Sequence, residues 1–206
     1  MEATSTQRQT GQAFGRMIPT ELPPLPPEFT GEAHTARRVL GLSGYPGVGK
    51  DTVAKMLTPR GYQRIAFADP IRALAYDLDP AVHDQVDMLG WENAYSGNDY
   101  VRRYLQKLGQ KAREHIDPGV WITAALRNIG IEGNYVITDV RYRNEAETLK
   151  NLGAKLVRVE RPGQGPVNDH ASEVEMDGYP FDAFLLNDGD LNQLFDRVMM
   201  MEEDLF

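Results

Sequence analysis

A glycine-rich segment at residues 44–50 has the residue types and the spacing of a phosphate-binding turn. It reads Gly-Tyr-Pro-Gly-Val-Gly-Lys, fits G-x-x-x-x-G-K, follows a short apolar run and opens a helical pattern. Glycines let backbone N–H groups converge on phosphate oxygens, the amino end of a helix adds partial positive charge, and the lysine ammonium reaches the outer phosphates. The segment therefore predicts a phosphate site formed by Gly44, Gly47, Val48, Gly49 and Lys50.

The two residues after the lysine depart from the general motif, which has Ser or Thr directly after it. Here Asp51 follows the lysine and Thr52 comes next. The pattern Gly-x-Pro-Gly-x-Gly-Lys-x-Thr resembles the loop of nucleoside monophosphate kinases, in which the hydroxyl also comes second. Thr52 would then contact phosphate or Mg²⁺, and Asp51 would either hold a magnesium-bound water or orient the acceptor. The residues alone do not separate these roles.

A second group of charged residues follows an apolar run at residues 135–138. Ligands of open parallel sheets bind outside the carboxyl ends of the strands, so Asp139 is expected to face the same crevice as the glycine-rich turn. It would hold Mg²⁺ through water, or else cap the next helix. Arg141 or Arg143, on the following loop, would neutralise charge on a transferred phosphoryl group; the alternative for each is an exposed surface charge.

A polar helix face supplies candidates for binding a second ligand. Arginine forks match phosphate oxygens and a glutamine amide can pair with a base edge, although a merely solvated face is the alternative. Arg72, on the polar side of a different helix, is a further candidate with the same alternative. The helix face itself consists of Arg102, Arg103, Gln106, Gln110 and Arg113.

Residues 162–178, rich in glycine and proline, resemble a mobile lid. Arg161 precedes this segment and His170 lies inside it, where the two would close over the phosphates; an exposed loop histidine is the alternative for His170. Further along, Asn187 and Asp188 either form a strand-to-helix turn or contact adenine at the rim of the crevice.

Short apolar runs alternate with helical patterns from Arg37 onward, which predicts an α/β fold with a parallel sheet. Predicted strands lie at 39–42, 64–68, 135–138, 155–159 and 184–186. Helices are expected over 50–57, 101–116 and 145–152, and from 70, 80, 118 and 191 onward. The predicted inner faces are Ile71, Leu74, Ala75 and Leu78; Val101, Leu105, Leu108, Ala112 and Ile116; and Leu191, Leu194, Phe195 and Val198.

Composition limits the classes of protein to which this chain can belong. Its 206 residues include no cysteine and carry a net charge of −8, which excludes disulfides and thiolate zinc sites and disfavours binding to nucleic acid polymers. There is no apolar run of membrane-spanning length and no signal-peptide pattern, so we expect no membrane partner and a cytoplasmic location. Residues 1–36 predict a disordered or extended Pro-rich arm, and 37–206 a single domain.

Taken in order along residues 38–200, the motifs resemble those of the phage-type deoxynucleoside monophosphate kinases. The resemblance implies a three-layer P-loop kinase fold with a central parallel sheet, a helical acceptor-binding region and a lid. It implies transfer of the γ-phosphoryl group of ATP, with Mg²⁺, to the 5′-phosphate of a deoxynucleoside monophosphate, in the host cytoplasm if the protein is viral. Asp51 is usual in that family. Arg72, Arg102 and Arg103 would serve the acceptor, and Arg141 and Arg161 the transferred group. The matching segments lie at 42–52, 70–76, 102–109, 138–141, 159–163 and 187–189.

Two other functions and one open question about assembly accompany this expectation. A dephospho-coenzyme A kinase shares the fold and the loop but phosphorylates a hydroxyl, which requires a general base such as Asp51. A nucleotide-binding switch or assembly protein would instead hydrolyse ATP or GTP slowly, without an acceptor. The partners expected are small-molecule nucleotides, and a homodimer is an open possibility.

Overall fold

Five parallel strands form the centre of the domain in the order β2-β3-β1-β4-β5. The computed structural model describes residues 37–127, 129–130, 132–167 and 171–206, so the predicted arm at 1–36 lies outside it. The predicted parallel sheet is confirmed, although its second strand begins and ends earlier than expected. The strands are β1 (Arg37–Ser43), β2 (Tyr62–Ile65), β3 (Gly133–Ile137), β4 (Lys155–Glu160) and β5 (Ala183–Leu186).

Helices cover both faces of the sheet and produce three layers. The first and last helices pack on one face through buried Val53, Leu57 and Val198, and two others pack on the opposite face through Ile122 and Leu149. The helices are α1 (Lys50–Leu57), α2 (Ala68–Leu78), α3 (Pro80–Gly97), α4 (Asp99–His115), α5 (Val120–Leu126), α6 (Arg143–Asn151), α7 (Ala171–Val174) and α8 (Leu191–Leu205). A short 3₁₀ turn, Thr58–Arg60, follows α1. None of the helices described here is long and apolar enough to cross a membrane.

Helices α2, α3 and α4 form an outlying bundle with a small core of its own. Its fully buried side chains include Ala75 and Val101. The predicted inner faces are wrong at their edges, because Leu74, Leu78 and Ile116 are exposed. A narrow bundle buries only a thin stripe of each helix, and Ile116 lies beyond the last residue of α4.

Two predicted helix starts have different outcomes. Asp79 caps α3 as expected, accepting hydrogen bonds from the amides of Ala81 and Val82. Asp69 does not cap α2, which begins at Ala68; its carboxylate accepts instead from the amide of Ala66. The prediction was wrong because an aspartate before a proline also fits the first turn of a helix that has already begun.

The last helix, α8, also differs from its predicted inner face. Leu194 and Val198 are buried as expected, and the face continues through Met201. Leu191 and Phe195 are exposed, so assigning them to the core was wrong. The apolar residues of α8 therefore cover a wider arc than the sheet can bury.

Candidate active site

The glycine-rich turn joins β1 to α1 and requires glycine at defined positions. Gly44, Gly47 and Gly49 have φ values of +134°, +78° and +102°, in the left-handed region that side chains rarely adopt. A Cβ at Gly44 would overlap the backbone carbonyl oxygen of Val159, and one at Gly49 would lie 2.7 Å from the side-chain nitrogen of Asn187. The turn is therefore packed against the ends of β4 and β5.

Lys50, the first residue of α1, folds back over this turn. Its ammonium donates hydrogen bonds to the carbonyl oxygens of Gly44 at 2.6 Å and Tyr45 at 2.8 Å. Asp51 is exposed in the first turn of α1, and Thr52 is half-buried behind it. A positive charge, a helix amino terminus and glycine amides thus meet at one place, as binding of a phosphate chain requires.

Asn187, at the end of β5, holds the turn in place. Its buried side chain donates a 2.8 Å hydrogen bond to the carbonyl of Val48, and its backbone amide donates to Glu160. The neighbouring Asp188 pairs with Arg197 of α8 at 2.6 Å. Asn187 therefore contacts the loop itself, and adenine contact by either residue stays a prediction.

A cavity opens between α2, α4 and the loop that follows β3. Its apolar part comes from Ile71, Leu105 and the ring of Tyr95. The polar residues that line it include six that the sequence analysis singled out, namely Arg72, Gln106, Gln110, Arg113, Asp139 and Arg141. The structure thus brings two arginine-bearing helices and the loop after β3 around one space.

Asp139 anchors this cavity to the sheet. Its two carboxylate oxygens accept hydrogen bonds from the amides of Phe67 at 2.8 Å and Ala68 at 2.9 Å. The carboxylate therefore caps α2, which lies much earlier in the chain. The sequence had offered a cap on the helix after Asp139 as the alternative, and that alternative is wrong. Capping by Asp139 fixes the start of α2, the helix that carries Arg72.

Arg64, near the carboxyl end of β2, interacts with several carboxylates. The sequence did not predict this cluster. The guanidinium of Arg64 binds Asp69 at 2.6 and 2.8 Å. Burial lowers the pKa of Arg64, but the charges of Asp69, Asp139 and Asp51 outweigh it and raise that pKa overall. Arg64 therefore offsets part of the acidic charge near the carboxyl end of β2.

Glu145, in the first turn of α6, is a cavity residue that the sequence reasoning missed. Its side chain is 1% exposed and accepts hydrogen bonds from the Arg113 guanidinium at 2.8 Å and from the amides of Arg141 and Tyr142 at 2.8 and 3.1 Å. Burial raises the pKa of Glu145 to about 7 against the opposing effect of Arg113, and the charge of Asp139 adds to the increase. The only sequence signal was an acidic residue near a helix start, which is common on protein surfaces.

Three predicted arginines are not brought to the cavity. Arg102 lies over the ring of Tyr95 and donates to the carbonyl of Ser96, and Arg103 is exposed on the same helix. Arg143 is the first residue of α6, and its guanidinium lies 5.8 Å from the centre of the Tyr179 ring. None of these three side chains lines the cavity that holds Arg113 and Arg141.

The predicted lid is described only in part. Arg161 lines a second cavity, which it shares with Tyr45 and Val48 of the phosphate loop, whereas His170 lies outside the described residues. At the carboxyl end of the segment, Met176 is buried and Asp177 pairs with Arg158 at 2.7 Å. Those last residues are therefore held by the packed domain.

Comparisons with known proteins show what this chain is similar to. A protein of Acanthamoeba polyphaga mimivirus is 27% identical to this chain over 185 residues, and its name is that of a deoxynucleotide monophosphate kinase. The match spans 78% of this chain and 94% of the mimivirus protein. The deoxynucleotide monophosphate kinase of Escherichia phage RB69 is 30% identical over 104 residues, and this match covers 48% of the chain and 43% of the phage protein.

A solved dephospho-CoA kinase from Campylobacter jejuni aligns with 82% of this chain and 97% of its own, at 11% identity and a TM-score of 0.42. A family model described as deoxynucleotide monophosphate kinase matches residues 85–198, which is more than half of the chain. The chain therefore belongs to the deoxynucleotide monophosphate kinase family.

Proposed function

We propose that this chain transfers the γ-phosphoryl group of ATP to the 5′-phosphate of a deoxynucleoside monophosphate. The observation that carries the proposal is the adjacency of β1 and β3 in the sheet. The phosphate loop leaves the carboxyl end of β1, and the loop with Asp139 and Arg141 leaves the carboxyl end of β3. An ATP phosphate chain on the first loop would therefore lie beside an anion held in the cavity.

Phosphoryl transfer requires that the two phosphate groups be aligned and that their negative charge be neutralised. The acceptor phosphate oxygen is already a nucleophile, so no side chain has to remove a proton. Two phosphate chains repel each other, and Lys50, Arg72, Arg113 and Arg141 would offset that repulsion. Arg161, beside the phosphate loop, would add charge from the other side once the lid closes over the transferred group.

A magnesium ion fits the residues at this edge. Among the described side chains, no group of three or more Asp, Glu or His could hold a metal ion by itself. Mg²⁺ is usually bound by one or two carboxylates together with substrate phosphates, and Thr52 and Asp51 at the start of α1 can supply a hydroxyl and a carboxylate. Asp139 would act through water, because both of its oxygens already accept backbone amides. The ion would neutralise charge on the phosphate oxygens.

The acceptor base would occupy the part of the cavity lined by Gln106, Gln110 and Tyr95. A glutamine amide can pair with a base edge, and an aromatic ring offers a surface for stacking. Gln110 also donates a 2.7 Å hydrogen bond to Glu114, which orients its amide. Arg102 and Arg103 would contribute only long-range charge, since neither lines this space.

Three further proposals concern the ligands, the location and the assembly of this chain. With a net charge of −8, binding to a nucleic acid polymer is not expected, and we propose small nucleotides as the only ligands. The viral relatives support a reaction in the host cytoplasm. A homodimer stays a proposal that light scattering can test.

The experiment measures ADP release from Mg-ATP with each deoxynucleoside and ribonucleoside monophosphate in turn, and with dephospho-coenzyme A. We expect release that requires a deoxynucleoside monophosphate and disappears in Lys50→Ala. Acceptor-independent release would indicate a nucleotide hydrolase, and release only with dephospho-coenzyme A would overturn the proposed acceptor.

A further inference from the structure

One buried carboxylate connects two parts of the chain that line the acceptor cavity. One oxygen of Glu145 accepts from the guanidinium of Arg113 on α4, and the other accepts from the backbone amides of Arg141 and Tyr142, on the loop after β3. Arg113 and Glu145 are 32 residues apart in the chain.

The guanidinium of Arg113 is oriented on two sides and still has donors left. It stacks on the Tyr142 ring, with 4.0 Å from its central carbon to the ring centre, and one terminal nitrogen binds Glu145. A guanidinium has five N–H donors, and within the described part of the chain Arg113 makes no other hydrogen bond. Arg113 lines the acceptor cavity, where its remaining donors can form a fork to phosphate oxygens.

We infer that Glu145 is a positioning residue for acceptor binding. Glu145 orients Arg113, the arginine of α4 that binds the acceptor phosphate, and it holds the backbone that carries Arg141. This inference rests on the proposed function and names the residues that grip its acceptor. Arg113 replaces Arg102 and Arg103 in that role.

A helix cap alone does not explain the burial of Glu145. Capping the first turn of α6 requires only the backbone amides, which a solvated carboxylate could also accept. Here the carboxylate is almost fully buried and paired with an arginine from another helix, although burying an ion pair opposes folding. Such an arrangement fixes the direction of the arginine.

Charged groups from several elements act on Glu145. Arg113 on α4 opposes the rise in its pKa, the charge of Asp139 after β3 adds to that rise, and the backbone amide of Arg141 donates a hydrogen bond to it, while Arg141 and Glu175 act on the neighbouring Tyr142. A pKa of about 7 means that the carboxylate gains a proton near neutrality. A protonated carboxyl accepts fewer hydrogen bonds, so it would loosen the arginine.

The test compares Glu145→Gln with Glu202→Gln as a matched control. Glu202 is also fully buried and binds two arginines, Arg38 and Arg60, but it lies at the amino end of the strands, away from the site. We expect Glu145→Gln to raise the acceptor KM about tenfold to a hundredfold, because charged hydrogen bonds of this kind contribute that much, with the KM for ATP nearly unchanged. Glu202→Gln should lower thermal stability but leave both KM values at the wild-type level.

The pH profile adds a readout that a purely structural role would not change. The ratio of the acceptor KM of Glu145→Gln to that of the wild type should fall toward one as the pH decreases from 8 to 6, because the wild-type carboxyl then becomes neutral too. Titration of the acceptor phosphate cancels in this ratio. A ratio that stays high and flat across this range would contradict the inference.

Arg113→Lys keeps the test decisive if Glu145→Gln does not fold. A lysine keeps the charge beside Glu145 but lacks the planar fork, so the acceptor KM should again rise at least severalfold. A wild-type acceptor KM in either folded variant would overturn the inference and leave the proposed function intact. A wild-type protein that phosphorylates no deoxynucleoside monophosphate would overturn both.

Discussion

The side-chain amide of Asn187 donates a 2.8 Å hydrogen bond to the backbone carbonyl of Val48, which ties the end of β5 to the phosphate loop. The same side chain lies where a Cβ on Gly49 would have to be placed. The shape of the phosphate loop therefore depends on a residue 139 positions away in the chain.

Replacing Asn187 with alanine should weaken ATP binding. The carbonyl of Val48 would lose its partner, which costs about 1 to 3 kcal/mol, and the loop would no longer be held in one conformation. We expect a KM for ATP raised about fivefold or more, measured by steady-state kinetics with the acceptor saturating.

Asn134→Ala is the control for this change. The Asn134 amide also donates to a backbone carbonyl, that of Arg60, at an exposed position away from the loop. Equal KM values for ATP in the two variants would mean that Asn187 does not shape the loop.

Gly44→Ala should abolish activity or folding. Its φ of +134° is unfavourable for alanine, and the added Cβ would overlap the carbonyl oxygen of Val159, which the backbone of β4 holds in place. Gly153→Ala is the matched control, because Gly153 has a φ of +79° but open space around it. Circular dichroism and kinetics should show a folded, active Gly153 variant; an equally active Gly44 variant would contradict this account of the loop.

Arg141→Ala should lower kcat by about 10² or more, the effect expected for one charge-stabilising group in phosphoryl transfer. The neighbouring Arg143 serves as its control, because its guanidinium faces Tyr179 and not the cavity. Arg143→Ala should stay within a few-fold of wild type. Wild-type turnover in a folded Arg141→Ala protein would remove that arginine from the mechanism.

The two buried glutamates should have opposite effects on the pH dependence of stability. The pKa of Glu145 is raised from 4.5 to about 7, so the folded state binds the extra proton and the contribution of Glu145 to stability is lost as the pH rises through this window. Although burial opposes it, hydrogen bonds from Tyr62, Arg38 and Arg60 lower the pKa of Glu202, whose contribution is lost as the pH falls below about 4.5.

Melting temperatures between pH 4 and 8 test this contrast in Glu145→Gln and Glu202→Gln. Relative to the wild type, Glu145→Gln should gain stability as the pH rises toward 8, and Glu202→Gln should lose less as the pH falls toward 4. Parallel curves for all three proteins would show that neither carboxyl titrates as its surroundings require.

Much of the fold and the phosphate loop could be predicted from the sequence, because both depend on local patterns. Apolar runs, helical spacing and the 44–50 motif predict β1, the turn and α1 from local sequence, whereas the contact between Asn187 and the turn is not a local pattern. Because ligands of parallel sheets bind outside the carboxyl ends of the strands, the sequence also predicted that Asp139 faces the same crevice as the loop, with Arg141 at its mouth.

The wall of the acceptor cavity could not be predicted as well. The stripe from Arg103 to Arg113 extends about 15 Å along α4, and only its carboxyl-terminal part reaches the cavity. Sequence spacing alone cannot show which residues along a helix face line a cavity and which remain in solvent. Glu145 was missed because its partner Arg113 lies on another helix.

The most direct test of the central claim follows the phosphoryl group itself. ATP labelled with ¹⁸O in the γ-phosphoryl group is incubated with Mg²⁺, each deoxynucleoside monophosphate and either the wild type or Lys50→Ala, and the products are examined by mass spectrometry. We predict the label in the β-phosphate of a deoxynucleoside diphosphate with the wild type, and a yield reduced by about 10² or more with Lys50→Ala. Label found only in inorganic phosphate, or equal product from both proteins, would contradict transfer between these two sites.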